Sequence, residues 1–268
     1  MKFWPVWLMA LAFSAFAQTN VATSPVTTYF TESKSAVSNL TASAIIERAM
    51  ANRPRQDLAL KARLFVTRDE KVPVEIFIRN TPTETRTIYR GGKTDLLVVQ
   101  PVHGEASLYL CGVGRLDSDR QRENLLGSQF SLIDVGFPFL HWEDLKLREP
   151  ERVRSRDCYV IEAKPGTTNA PYAMVKLWID QTYFGLLRAE GFDADGRLVK
   201  RFAVTSLRQV GDVWIPRGIE VARLPVGQVM PSEDRSRLEI YDGNNNAKLP
   251  VDWFSEEKFG AAGREPTR

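Results

Sequence analysis

The chain is poor in the residues on which most active-site chemistry is built, with two cysteines and two histidines in 268 residues. Dense thiol or imidazole clusters are thereby excluded. Its one Cys2His2 set, His103, Cys111, His141 and Cys158, lacks the short paired intervals of a zinc site, so no metal is expected. Charge of one sign is also scarce. Lys plus Arg number 36 against 33 Asp plus Glu, a balance of +3 that leaves no electrostatic footprint for nucleic acid. No apolar run reaches the ~20 residues of a membrane-crossing helix. No repeat of fixed period is evident, which argues against a propeller or solenoid. A Gly-x-Ser-x-Gly elbow is absent, and Gly112-Val113-Gly114 lacks the third glycine of a dinucleotide loop. Asp193-Ala194-Asp195-Gly196 lacks the remaining ligands of a calcium loop and reads as a hairpin turn. With no acid–base or nucleophile set, neither enzymatic activity nor a cofactor is expected. What is present is ordinary globular composition, 43% apolar and 26% charged.

The N-terminus points to a compartment. Lys2 precedes an apolar run from Phe3 to Phe16 that closes on Ala15-Phe16-Ala17, the small-x-small pattern of a signal-peptidase site. Residues 1–17 are expected to be a signal peptide cleaved near Ala17, a retained anchor being the alternative. No cysteine follows that point until Cys111, so lipid attachment at a mature N-terminal cysteine is not available. Outside the cytoplasm, Cys111 and Cys158 form either a disulfide or two buried thiols. Residues 18–39, rich in Ser and Thr, read as a flexible lead-in.

From Leu40 the chain takes on periodic order. Thr41 or Ser43 caps a short helix with Ile45, Ile46, Ala49 and Met50 on one face, stopped by Asn52 to Pro54. Period-two alternation follows: Leu58, Leu60, Ala62, Leu64 and Val66, then Val72, Val74, Ile76 and Ile78. Further strands are expected at residues 83–90, 94–102 and 106–111, too close together for crossover helices, hence an antiparallel meander. Residues 117–147 break the rhythm and read as a helix-and-loop insertion with an apolar underside. The mixed run Arg148 to Asp157 reads as a solvated face, or else a dock for anionic head groups or an acidic partner. Strands resume at 157–164, 173–180, 186–192, 197–209, 213–223 and 235–241. Asp252 is expected to cap a turn carrying Trp253 and Phe254, and residues 260–268 form a loose tail. The fold class is mainly β (α+β): an antiparallel sheet of about eleven strands that curls to give a concave face, partly covered by short helices.

Several segments, taken in order, resemble LolA-like outer-membrane lipoprotein-sorting proteins. They are Gly127-Ser128-Gln129-Phe130-Ser131-Leu132-Ile133-Asp134, Leu177-Trp178-Ile179-Asp180 through Arg188-Ala189-Glu190 to Asp195-Gly196, Val213-Trp214-Ile215-Pro216, and Leu249-Pro250-Val251-Asp252-Trp253-Phe254-Ser255. The likeness covers residues 40–259, expected to be one half-barrel domain. It departs at Gln129, where the family segment usually has Asp, and at Leu132-Ile133, where it has Tyr-Glu. The resemblance implies a half-barrel whose apolar cavity takes the acyl chains of a lipoprotein or lipid. It implies passage through the periplasm from an inner-membrane donor to an outer-membrane acceptor. The cavity-facing candidates are Val74, Ile76, Ile78, Leu96, Val98, Leu108, Leu110, Val175, Leu177 and Ile179, unless these simply fill a closed core. Phe130, Phe137, Phe139, Leu140 and Trp142 are lid candidates, unless they only anchor a loop. The rival function is an RseB-type envelope-sensing module that binds a membrane regulator.

Overall fold

The computed structural model describes residues 40–51, 56–224 and 235–261. The expected signal peptide and lead-in lie outside these residues, as does all of the expected tail beyond Ala261. No helix among the described residues is long and apolar enough to cross a membrane.

The strands form one antiparallel sheet built from two meanders. The first contains β1 (Leu58–Phe65), β2 (Lys71–Asn80), β3 (Glu84–Gly91), β4 (Thr94–Pro101), β5 (Ser107–Leu110) and β6 (Gly114–Arg115). The second contains β7 (Asp144–Val153), β8 (Arg156–Lys164), β9 (Met174–Asp180), β10 (Leu186–Phe192), β11 (Leu198–Val210), β12 (Val213–Arg223) and β13 (Arg235–Asn244). They join where β1 pairs with β13, and β6 and β7 are left at opposite edges. The sheet is therefore an unclosed, curved half-barrel. Thirteen strands are present rather than about eleven. Two-residue β6 is too short to leave a pattern. β7 is exposed along nearly its whole length, so its charged residues carry no alternation and read as loop and solvated face.

One apolar cluster occupies the concave side, taking alternate residues of the strands from both meanders. Helix α1 (Ala42–Ala51) buries Ile45, Ile46 and Ala49 there, and the Ala44 N–H donates to Thr41 Oγ1 at 3.2 Å. Thr41 is thus the cap. The connection from β6 to β7 must return from one edge of the sheet to the other. It does so as four short 3-10 turns between Arg120 and His141, and its apolar side chains join the same cluster.

The convex side of the first meander is covered too. Ile88, Leu97 and Val99 pack against Phe254 and Phe259 of a C-terminal strap, a 3-10 turn (Val251–Phe254) followed by α2 (Glu256–Ala261). β4 is consequently buried on both faces. Asp252 makes no capping bond to this turn; its carboxylate pairs with Lys258 instead. Across the convex side of the second meander runs a row of directly opposed residues of alternating charge: Lys146, Glu162, Lys176, Glu190 and Arg201. Opposite charges on facing positions stabilise the strand pairs.

Candidate functional site

The ten cavity candidates share the concave side. Nine are buried, and Leu110 is half-buried against the same cluster. The face they occupy follows from register, because Ile76, Leu96 and Leu110 continue one row through Tyr89, while Val175 and Leu177 continue Ala163 and Ile161. The hollow expected above them is filled. All five lid candidates are buried, with Phe139 fully so. Phe137 and Phe139 meet edge to face with ring centres 5.6 Å apart, and both lie against Phe202 of β11, at 6.2 and 6.0 Å. The insertion is an internal plug in the half-barrel.

Local sequence explains how the plug is shaped. At Leu125–Gly127 the chain turns back sharply, with φ of 52° at Leu126 and 76° at Gly127. The Leu125 N–H then donates to Phe130 O at 2.7 Å, and Ser128 Oγ donates to Leu125 O. Gly91 of β3 lies beneath, where a Cβ would fall 2.8 Å from the Leu126 side chain. Gln129 donates its backbone N–H to Ser236 Oγ, which donates to Val66 O, so the turn is tied to the β1–β13 junction. The Gln129 side chain takes no part in this link. Its Oε1 is buried without a partner. Between two 3-10 turns, Phe137 adopts the left-handed conformation, φ 45° and ψ 56°. A non-glycine residue holds that conformation only where its surroundings impose it.

A buried polar cluster pins the plug to the wall. Asp134 Oδ2 accepts from the Ser131 N–H at 2.8 Å and from Lys200 Nζ of β11 at 2.5 Å. Tyr172 Oη donates to Asp134 Oδ1 at 2.7 Å, and Lys200 Nζ also donates to Ser131 Oγ at 3.2 Å. The side chains of Asp134 and Lys200 are 0% and 6% exposed. Burial, together with the Asp134 carboxylate, pushes the Tyr172 phenol well above its ordinary pKa and holds it as a donor. Gly191 makes room for this ring, since a Cβ there would lie 2.5 Å from Tyr172. Sequence reasoning placed Asp134 in a family-like segment and missed Lys200 and Tyr172. The available signal was Lys200 at an inward position of an alternating strand, where a cation requires a buried partner.

Beside the plug a groove of about 670 Å³ opens between the β5–β6 edge and the β8–β9 connection. Leu116, Ile133, Pro138 and Trp142 supply its apolar lining, and Arg115 and Arg122 its cations. Arg122 spans the gap, donating to the backbone O and Oδ1 of Asn169, both at 2.9 Å. Its volume suits a small-molecule ligand. None of the ten cavity candidates lines it.

Cys111 and Cys158 are not bridged. Cys111 lies in the convex cluster under the C-terminal strap, and Cys158 in a separate one with Val160 and Trp178. No group of three or more His, Cys, Asp or Glu able to hold a metal occurs among the described residues.

Residues 109–260 match the model of a family described as "Uncharacterized protein". No curated protein matches the sequence. Solved structures share the architecture. A domain assigned to outer membrane lipoprotein sorting, from Vibrio parahaemolyticus, aligns with a TM-score of 0.71 at 16% identity, over 81% of this chain and 97% of that one. A DUF1329 family protein from Desulfovibrio piger gives 0.66 at 15% identity, over 81% and 98%. A LolA superfamily protein from Nitrosomonas europaea gives 0.57 at 19%, over 82% and 99%.

Proposed function

We propose that this chain, which belongs to the family matched over residues 109–260 and has the LolA-like fold, is an exported carrier that takes up acyl chains of a lipoprotein or lipid in its half-barrel and moves them through the periplasm. The observation that carries this reading is the plug. An unclosed curved wall holds a separate apolar segment, inserted between its two edges, where a guest chain would lie.

Burying a methylene is worth about 0.8 kcal/mol, so a sixteen-carbon chain crossing water unaided meets a barrier on the order of 12 kcal/mol. A carrier removes that barrier without bond chemistry. Exchanging Phe137 and Phe139 for an acyl chain replaces one apolar contact with another, so the hydrophobic term nearly cancels. The left-handed backbone at Phe137 is relieved when the plug leaves, which shifts the balance further towards loading. The groove bordered by Ile133, Pro138 and Trp142 is the way in, because it reaches the plug between the β5–β6 edge and the β8–β9 connection.

The test is native mass spectrometry of the mature chain purified from a membrane-containing host, with lipid extraction of the bound fraction. Co-purifying acylated molecules are expected. An empty protein that captures a membrane regulator would favour the sensing module instead. Ile76→Glu and Leu177→Glu, both at fully buried concave positions, are expected to weaken uptake of a fluorescent fatty acid. Unchanged uptake by both folded variants would remove these positions from the site.

A further inference from the structure

The plug imitates a particular kind of guest. It places a carboxylate, Asp134, on Lys200, and within a few residues two aromatic side chains, Phe137 and Phe139, against Phe202. Head and tail are both represented, joined by one short stretch of backbone. Lys200 is held in an apolar wall, its ammonium 5.9 Å from the Phe202 ring centre. Directly across the β11–β12 pair, on the same face, stands a second cation, Arg223. Among the described residues, Asp134 is the carboxylate paired with Lys200.

Loading requires the plug to withdraw, and Asp134 withdraws with it. A neutral guest would leave Lys200 charged, buried and unpaired, which is strongly unfavourable. An anionic guest restores the pair. We infer that Lys200 is the head-group site for an anionic amphiphile, whose carboxylate or phosphate takes the place of Asp134 while its tail takes the place of Phe137 and Phe139. Tyr172 Oη, which now donates to Asp134, is then released, and the phenol on the β8–β9 connection is free to cover the bound head group. This inference rests on the carrier reading and narrows it from acyl chains in general to acidic ones.

The experiment compares cis-parinaric acid with its methyl ester, equal in tail and differing in charge, by fluorescence titration of the full mature chain. The acid is expected to bind about tenfold more tightly than the ester, as one charge-assisted contact provides. Lys200→Met should abolish that preference. Asp134→Asn removes the internal competitor and should strengthen binding of the acid more than of the ester. If Lys200→Met does not fold, the Asp134→Asn comparison decides alone. Equal binding of acid and ester, or a preference that survives Lys200→Met, overturns the head-group assignment while leaving the carrier reading intact. Failure of both probes to bind removes both. Acetate, a head without a tail, should not compete; competition by millimolar acetate would mark a simple anion site and also overturn the proposal.

Discussion

At the scale of single residues, Asp134, Lys200 and Tyr172 carry the largest electrostatic consequence. Removing one partner of a buried ion pair strands the other, so Asp134→Ala should lower stability by about 3–5 kcal/mol. Replacing both, as Asp134→Leu with Lys200→Met, should recover most of that loss, and urea unfolding of the three variants measures it. Gly191→Ala should act on the same cluster from beneath, forcing the Tyr172 ring aside at a cost of about 1–3 kcal/mol. Cys158 offers an independent check. Burial and the nearby Asp180 carboxylate push its thiol up to about 11. Iodoacetamide at pH 8 is therefore expected to leave it unmodified in the folded protein and to label it once the chain unfolds.

The elements show what the sequence made legible. α1 and the inward faces of β2 and β9 follow from periodicity, because apolar residues alternate there with polar or partly exposed ones, whereas β4, apolar on both faces, shows no alternation. Ile76 and Leu177 could be named for that reason, but the rows they belong to are set by strand register. β7 was not, since Arg148, Glu149, Glu151 and Arg152 are exposed and its apolar positions are too few to mark a face. The filling of the concavity was equally hidden. Alternation reveals which residues turn inward, not what lies opposite them. The Asp134–Lys200 link joins residues 66 positions apart, and only the return of the chain across the sheet brings them together.

Lys176→Glu sets Glu162, residue 176 and Glu190 side by side with like charge and removes a partner of Glu151, at a cost of about 1 kcal/mol that added salt diminishes. Hydrogen bonds from Lys176 and Trp178 hold the Glu151 carboxyl below the usual range, and one from Arg148 does the same for Glu162. Their folded pKa values lie below the unfolded ones. Their contribution is therefore present above the unfolded carboxylate range and fades as pH falls through the folded values. It is small because both lie near the surface.

For the molecule as a whole, loading should be visible as a redistribution of protection. Hydrogen exchange with and without a fatty acid is expected to show amides of residues 116–142 losing protection on loading, while those of β1 and β13 do not change. Uniform protection throughout would mean that the insertion does not move.

The pairing of β1 with β13 has its own bearing on how such a sheet comes into being. Its middle is closed by β1 and β13, the first and last strands among the described residues, so the first meander keeps an open edge until the chain has been made through Asn244. Contacts so distant along the chain form slowly. A newly made molecule therefore cannot seal the centre of this sheet until β13 has been made and has found β1.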